Sequence, residues 1–342
     1  MIRFNSDYAE GAHPRILEKL IETNMEQTPG YGEDIYCQRA ADLIKEQCGN
    51  ENIDVHFLVG GTQSNLTIIA AALRPHQCAI AAISGHISTH ETGAIEATGH
   101  KVIELPTEDG KLTAAQILDV YNNHQNDETH EHTVQPKLVY ISNPTELGTI
   151  YSKTELMELS KTCKECDLYL FLDGARLGYG LTSVGNDLDL PLITEYCDVF
   201  YIGGTKVGAL FGEAVVITNQ ALKQDFRYIM KQKGAMLAKG RLLGIQFFTL
   251  FEDNLYYEIS KHANRMADII RDEFTKNGYQ FLIKTCTNQQ FPILSNVDIA
   301  KLSEKYSFLT WQRVDDYNSA VRFCTSWATR EEDVLQLVKD IK

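Results

Sequence analysis

A chain of 342 residues with 44% apolar content holds enough material for one large domain and a smaller companion. Its formal net charge of −14, with no long run of Lys or Arg, opposes the attraction that a nucleic-acid backbone needs. Met1-Ile-Arg-Phe-Asn-Ser6 runs straight into polar sequence and no apolar stretch approaches the length of a bilayer span, so a cytoplasmic protein is expected, with neither nucleic acid nor membrane among its partners.

Residues 1–50 read as mainly helical and polar, broken by Pro29-Gly-Tyr-Gly-Glu-Asp-Ile-Tyr36, and are expected to lie against a neighbouring surface. In the next segment, residues 51–250, β-rich runs at 55–59, 79–83, 101–105, 137–141, 169–173, 198–202 and 214–217 alternate with helix-like stretches. That alternation predicts an α/β domain with a mainly parallel seven-stranded sheet covered by helices. The run from His124 to His132 gathers histidines and acids, but its place between a helix and a strand marks a solvated loop. Cys163 and Cys166 form the CxxC pair of the chain at the end of an amphipathic helix. Zinc would need two further ligands at a matching spacing, so reduced thiols and no metal are expected.

Over residues 255–276, Ile259, His262, Met266, Ile269 and Ile270 recur at helical spacing, and Gly278 is the stop signal. This helix is expected to connect the large domain to a smaller α+β domain in residues 251–342. The predicted elements there are strands at 280–283, 290–294 and 321–324, with helices at 296–306 and 330–341.

The ends of the large-domain strands carry Gly60-Gly61-Thr62, Gly85-His86, Asn143-Pro144, Asp173 and Gly203-Gly204-Thr205-Lys206. Open α/β sheets collect ligands at such carboxyl ends. Lys206 in its small-residue turn and Asp173 after an apolar strand suggest the two groups that pyridoxal phosphate requires, an amine for its aldehyde and an anion for its ring nitrogen. The turn Gly60-Gly-Thr-Gln-Ser-Asn65 opens a helix, where free N–H groups receive a phosphate and the side chains of Thr62, Gln63 and Ser64 add donors. Each residue alone has a plainer reading: an N-capped helix, a turn aspartate, a loop histidine at His86, a surface ion pair at Arg176, a solvent-facing edge arginine at Arg322.

Taken together, Ser6-Asp7, Tyr31-Gly-Glu-Asp34, Gly61-Thr62, His86, Asp173-Gly-Ala-Arg176, Thr205-Lys206 and Arg322 resemble the threonine aldolase and β-eliminating lyase family of fold-type I pyridoxal-phosphate enzymes. The resemblance implies an aspartate aminotransferase-like fold and pyridoxal 5'-phosphate as cofactor. Lys206 would engage the cofactor aldehyde, Asp173 its ring nitrogen, and His86 its ring face. Gly61, Thr62 and Gln63 would hold the phosphate, while Ser6, Arg176 and Arg322 grip the carboxylate of an amino-acid substrate. It also implies a homodimer or homotetramer with active sites at a subunit interface. There residues 1–50 contact the neighbouring subunit, and Tyr31 with Lys239 or Arg241 reaches the neighbour's cofactor. The implied reaction is cleavage of L-threonine, L-allo-threonine or a related β-hydroxy-α-amino acid to glycine and an aldehyde. β-Elimination or transamination of another amino acid is the alternative, and a non-catalytic cofactor-binding protein a more distant one. One departure bears on the substrate: Ser142-Asn-Pro-Thr-Glu-Leu-Gly148 places Thr145 where threonine aldolases usually carry a histidine linked with the β-hydroxyl, leaving Glu146, His90 or Glu91 as substitutes.

Overall fold

The computed structural model describes residues 1–341. A short strand, β1 (Ile2–Arg3), is followed by the seven strands of the large sheet. These are β2 (Asp54–Leu58), β3 (Gln77–Ala82), β4 (Val102–Leu105), β5 (Gln135–Ser142), β6 (Tyr169–Asp173), β7 (Val199–Gly203) and β8 (Glu213–Ile217). Their order across the sheet is β2-β8-β7-β6-β5-β3-β4. Only β8 runs antiparallel to its neighbours, β2 and β7; the remaining pairs are parallel.

Because successive side chains of a strand point to opposite faces, the sheet sorts its apolar residues into two cores. Val139, Ile141, Leu170, Leu172, Phe200 and Ile202 face one side, packed with Ala40 and Ile44 of the helix Ile35–Cys48 and with Leu243 and Phe247 of the helix Arg241–Phe251. Leu138, Tyr140, Phe171, Val199 and Tyr201 face the other, under Ile68 and Ile69 of the helix Gly61–Ala72. Strands buried on both faces read as nearly continuous apolar runs. That is why each sequence-predicted strand of this sheet lies within two residues of its observed bounds at either end.

The first fifty residues are divided between the domains. Ile16, Ala40 and Ile44 join the large core, whereas Phe4 joins the small one. β1 pairs in parallel with β11 (Tyr306–Ser307), and Cys324 N donates to Phe4 O at 2.9 Å. The helix Leu255–Lys276 links the two cores, burying Tyr256, Ile259 and Ala263 in the large one and Met266, Ile270 and Phe274 in the small one.

The small sheet contains β9 (Gln289–Gln290), β10 (Ile293–Ser295), β12 (Leu309–Arg313) and β13 (Asn318–Cys324), with β13 paired to each of the others. The predicted strand at 280–283 is corrected to an irregular segment held by one bridge, Phe281 to Pro292. That bridge is held by Leu282 N donating to Phe291 O and Ile293 N to Gln280 O; on the β13 side Pro292 O accepts from Val321 N but Pro292 has no N–H to donate in return, which divides the predicted run 290–294 into β9 and β10. The predicted helix 296–306 stops at Ser303, where the chain turns into β11. β12 escapes the sequence pattern because Leu309, Thr310, Gln312 and Arg313 are exposed and the strand lacks a buried apolar face. Among the described residues, no helix is long and apolar enough to cross a membrane.

Candidate active site

The loops after β2, β5, β6 and β7 meet β12 and β13 around a cavity of about 560 Å³. Gly61, Thr62, His86, Glu146, Asp173, Arg176, Lys206 and Arg322 line it, together with Tyr8, His90, Glu213 and Trp311. Close approach of two loops brings Asp173 and Lys206 together. Gly203 N donates to Gly174 O at 2.9 Å, and a Cβ on Gly174 would lie 1.9 Å from the carbonyl oxygen of Tyr201. Only glycine fits there. The turn bearing Lys206 is then fixed by Gly204 N and Thr205 N, both donating to Gly212 O at 3.0 Å, and by the Tyr179 hydroxyl, which donates to Lys206 O.

Asp173 is buried at the end of β6 and is held by its neighbours. The Tyr140 hydroxyl and Asn65 Nδ2 donate to Oδ2, the latter at 3.2 Å, and Ala175 N donates to Oδ1 at 2.9 Å. Burial and the Asp173 charge push the Tyr140 phenol well above its ordinary range, so it stays a hydrogen-bond donor. Lys206 is held below the ordinary lysine range, first by burial and then by the Arg176 cation. Glu213, beside it, is pushed up to about 8 by burial.

Arg176 is engaged through Nε and Nη2 by Asp7, at 2.7 and 3.1 Å, and Asn288 Nδ2 donates to the same carboxylate at 2.9 Å. Burial works against the Asp7 charge, but Arg176 and Lys206 overcome it and hold the carboxyl at about 2. Arg322 lies on the central strand β13, not on an edge, and spends Nη1 on Gln289 and Nη2 on Asn5 O. Its Nε is buried with no hydrogen-bond partner among the described residues. His86 Nδ1 contacts Glu91 Oε1 at 2.7 Å, and Asn65 Nδ2 donates to that same oxygen at 2.6 Å, so one amide ties the His86 partner to Asp173. At the helix Gly61–Ala72, Gly60 occupies the N-cap and no side chain caps the first turn, which leaves its N–H groups open toward the cavity.

Other sequence-predicted site residues lie elsewhere. Gln63 turns from the cavity, accepting from Val59 N and donating to Lys233 O, each at 3.3 Å. Ser6 is half-buried beside Asp7 but is not part of the lining. Thr145 is buried, with its hydroxyl 2.7 Å from that of Thr149. Tyr31, Lys239 and Arg241 lie outside the cavity lining: Tyr31 is 46% exposed with its ring 4.6 Å from Lys231 Nζ, Lys239 is exposed, and Arg241 donates to Glu26 O and Thr23 O. Tyr140 and Asn65, which hold Asp173, carry no site motif in the sequence. Tyr140 and Ser142 share a face of β5 by two-residue spacing, a signal that was available.

The family of β-eliminating lyases matches residues 4–296. The chain belongs to the β-eliminating lyase family. Within reach of this family match are a low-specificity L-threonine aldolase of Pseudomonas aeruginosa, 31% identical over 99% of this chain and 97% of its own length, and a threonine aldolase of Leishmania major. The Leishmania structure superposes with a TM-score of 0.97 at 49% identity, covering 100% of this chain and 98% of its own. The histidinol-phosphate aminotransferase of Clostridium acetobutylicum, at 14% identity and a TM-score of 0.75 over 100% of this chain and 98% of its own, shares the fold alone. The aminotransferase-like fold expected of a β-eliminating lyase is therefore the fold observed.

Proposed function

We propose that this lyase binds pyridoxal phosphate and cleaves L-threonine, L-allo-threonine or a related β-hydroxy-α-amino acid to glycine and an aldehyde. The observation that carries the reading is the meeting, in one cavity, of the Lys206 amine, the Asp173 carboxylate and an uncapped helix N-terminus. Those groups fit the aldehyde, the ring nitrogen and the phosphate of that cofactor. When bound, pyridoxal phosphate supplies a sink for the electron pair released as Cα–Cβ breaks.

The protein's own residues do the rest. Asp173, aimed by Tyr140 and Asn65, would present a fixed anion to the ring nitrogen and favour its protonated form. Lys206, with its lowered pKa, keeps a larger fraction of neutral, nucleophilic amine than an ordinary lysine. Gly61 and Thr62 offer backbone N–H groups at the positive end of their helix. His86 offers a flat face whose orientation Glu91 sets. The unpartnered Nε of Arg322 suits the substrate carboxylate, and Arg176, already neutralised by Asp7, supports that end of the cavity. The Pseudomonas and Leishmania relatives are threonine aldolases, which supports the choice of threonine as substrate.

The assembly is proposed as a homodimer or homotetramer in which Tyr31 and a basic residue approach the neighbour's cofactor. Of the two candidates, Lys239 is assigned this part, because Arg241 is committed to Glu26 and Thr23 of its own chain while Lys239 is exposed. The test of the activity is aldehyde release from L-threonine and L-allo-threonine by the cofactor-loaded protein, with Lys206→Ala as control. Release that vanishes in the variant supports the reading. Pyruvate and ammonia from a substrate with a β leaving group, without aldehyde from either threonine, would replace it with β-elimination.

A further inference from the structure

The structure places Glu146, one residue beyond Thr145, on the wall of the cavity, while the Thr145 hydroxyl points into the protein. Two donors fix one end of the Glu146 carboxylate: Ser142 Oγ at 2.8 Å and His86 N at 2.9 Å, both to Oε1. Among the described residues, no group of another residue donates to Oε2. Ser142 is itself the register partner of Asp173 across β5 and β6, so Glu146 is braced on the same rigid strand ends that hold the cofactor's expected partners. We propose that Glu146 is the proton acceptor for the substrate's β-hydroxyl, a catalytic role that rests on the aldolase reading above.

The other candidates are less well placed. Glu91 Oε1 is occupied by both Asn65 and His86, and its side chain is fully buried away from the cavity lining. His90 lines the cavity but is exposed, and among the described residues no hydrogen bond orients its ring. Catalytic acids and bases act from fixed positions within hydrogen-bond reach of the proton they move. Burial and then the Asp173 charge raise the Glu146 pKa from its ordinary value, which strengthens it as a base. The step balances. The β-hydroxyl O–H bond breaks and its proton joins Oε2 of Glu146; the oxygen electrons form the aldehyde C=O as Cα–Cβ breaks. The proton held on Glu146 equals the one Cα must regain in glycine, so threonine divides into glycine and acetaldehyde with no oxidant or reductant.

The experiment compares holoenzyme with Glu146→Gln, whose amide oxygen can keep both Oε1 contacts, and with Glu146→Asp, which keeps a carboxylate. Three properties are read: L-threonine cleavage, exchange of the glycine α-proton in D2O by NMR, and cofactor binding by visible absorbance. Glycine has no β-hydroxyl, so its exchange bypasses the assigned role. Expected for Glu146→Gln is a loss of about 100-fold or more in cleavage, with exchange within about threefold of the parent, and a partial return of cleavage in Glu146→Asp. Cleavage within about threefold of the parent in Glu146→Gln overturns the proposal, as does a parallel loss of exchange and cleavage, which would mark a role at Cα or in cofactor placement. A parent enzyme that exchanges glycine's proton yet releases aldehyde from no β-hydroxy amino acid refutes the aldolase reading itself, and the proposal with it.

Discussion

Replacing Asp7 with Asn removes a charge from a buried pair while keeping the side chain's shape. The Asp7 side chain is 0% exposed and that of Arg176 11%, and the carboxylate accepts Arg176 Nε, Arg176 Nη2 and Asn288 Nδ2. Removing one member of a buried ion pair strands the other charge, at a cost of about 3–5 kcal/mol. Part of that cost is visible as pH dependence. The Asp7 carboxyl falls from 3.8 to about 2 on folding, which corresponds to about 2 kcal/mol of linked stability. Because the folded value is the depressed one, this contribution is complete above pH 3.8 and is lost as pH falls through 2. Urea unfolding of parent and Asp7→Asn at equal protein concentration should show the full gap at pH 7 and a narrower one as the pH drops below 3.8 toward 2. Less than about 1 kcal/mol at pH 7 would refute the view that Arg176 depends on Asp7. So would a gap that ignores acid. Loss of the Asp7 anion should also lower Lys206 further, since that anion is one of the groups holding the amine up.

Gly174→Ala should destabilise the fold by about 3 kcal/mol or more, because the new methyl meets the Tyr201 carbonyl at 1.9 Å and backbone must move; an unchanged urea midpoint would contradict the close packing of the loops after β6 and β7. Glu213→Gln should flatten the alkaline decline in stability. The folded Glu213 carboxyl, raised from 4.5 to about 8, contributes fully below pH 4.5, and that contribution is lost as pH rises through 8. In the cofactor-free protein, the parent's thermal midpoint should therefore fall more than the variant's between pH 5 and pH 8.5, and parallel curves would exclude this source. Tyr140→Phe deletes the hydroxyl donor to Asp173 Oδ2; its cofactor affinity should weaken, with a loss of about 1.5–3 kcal/mol expected for a hydrogen bond to a charged group, read from the dissociation constant by absorbance titration.

The large sheet was legible because a parallel sheet buried on both faces leaves unbroken apolar runs, and because turn glycines mark the strand ends where Asp173 and Lys206 stand. Thr145 shows the limit. Which of two adjacent loop residues faces a cavity depends on the path of the backbone, and Asn143-Pro144-Thr145-Glu146 has no periodicity from which to read it. Asp7 shows another: its partner is 169 residues away, and no local pattern announces an ion pair at that distance. β12 was missed because exposed polar residues interrupt the alternation on which strand recognition depends, and with it went Leu309 and Trp311 on the cavity wall.

The pairing of β1 with β11, and of Phe4 with the end of β13, has a consequence for biosynthesis. Ile2 leaves the ribosome early, but its partner Tyr306 is made 304 residues later, an interval of about 15–60 s at ordinary rates of translation. Through that interval Phe4 lacks the pocket that later buries it, and Asp7 has Arg176 to meet only once a further 169 residues have been made. The large sheet can assemble during this wait, since its last strand ends at Ile217 and the helices that cover it, Arg241–Phe251 and the start of Leu255–Lys276, are complete before β11 is made. The cavity cannot, because one wall carries Trp311 and Arg322. A nascent chain arrested before β12 would thus carry Lys206 and Asp173 on a formed sheet but have no closed chamber in which to use them.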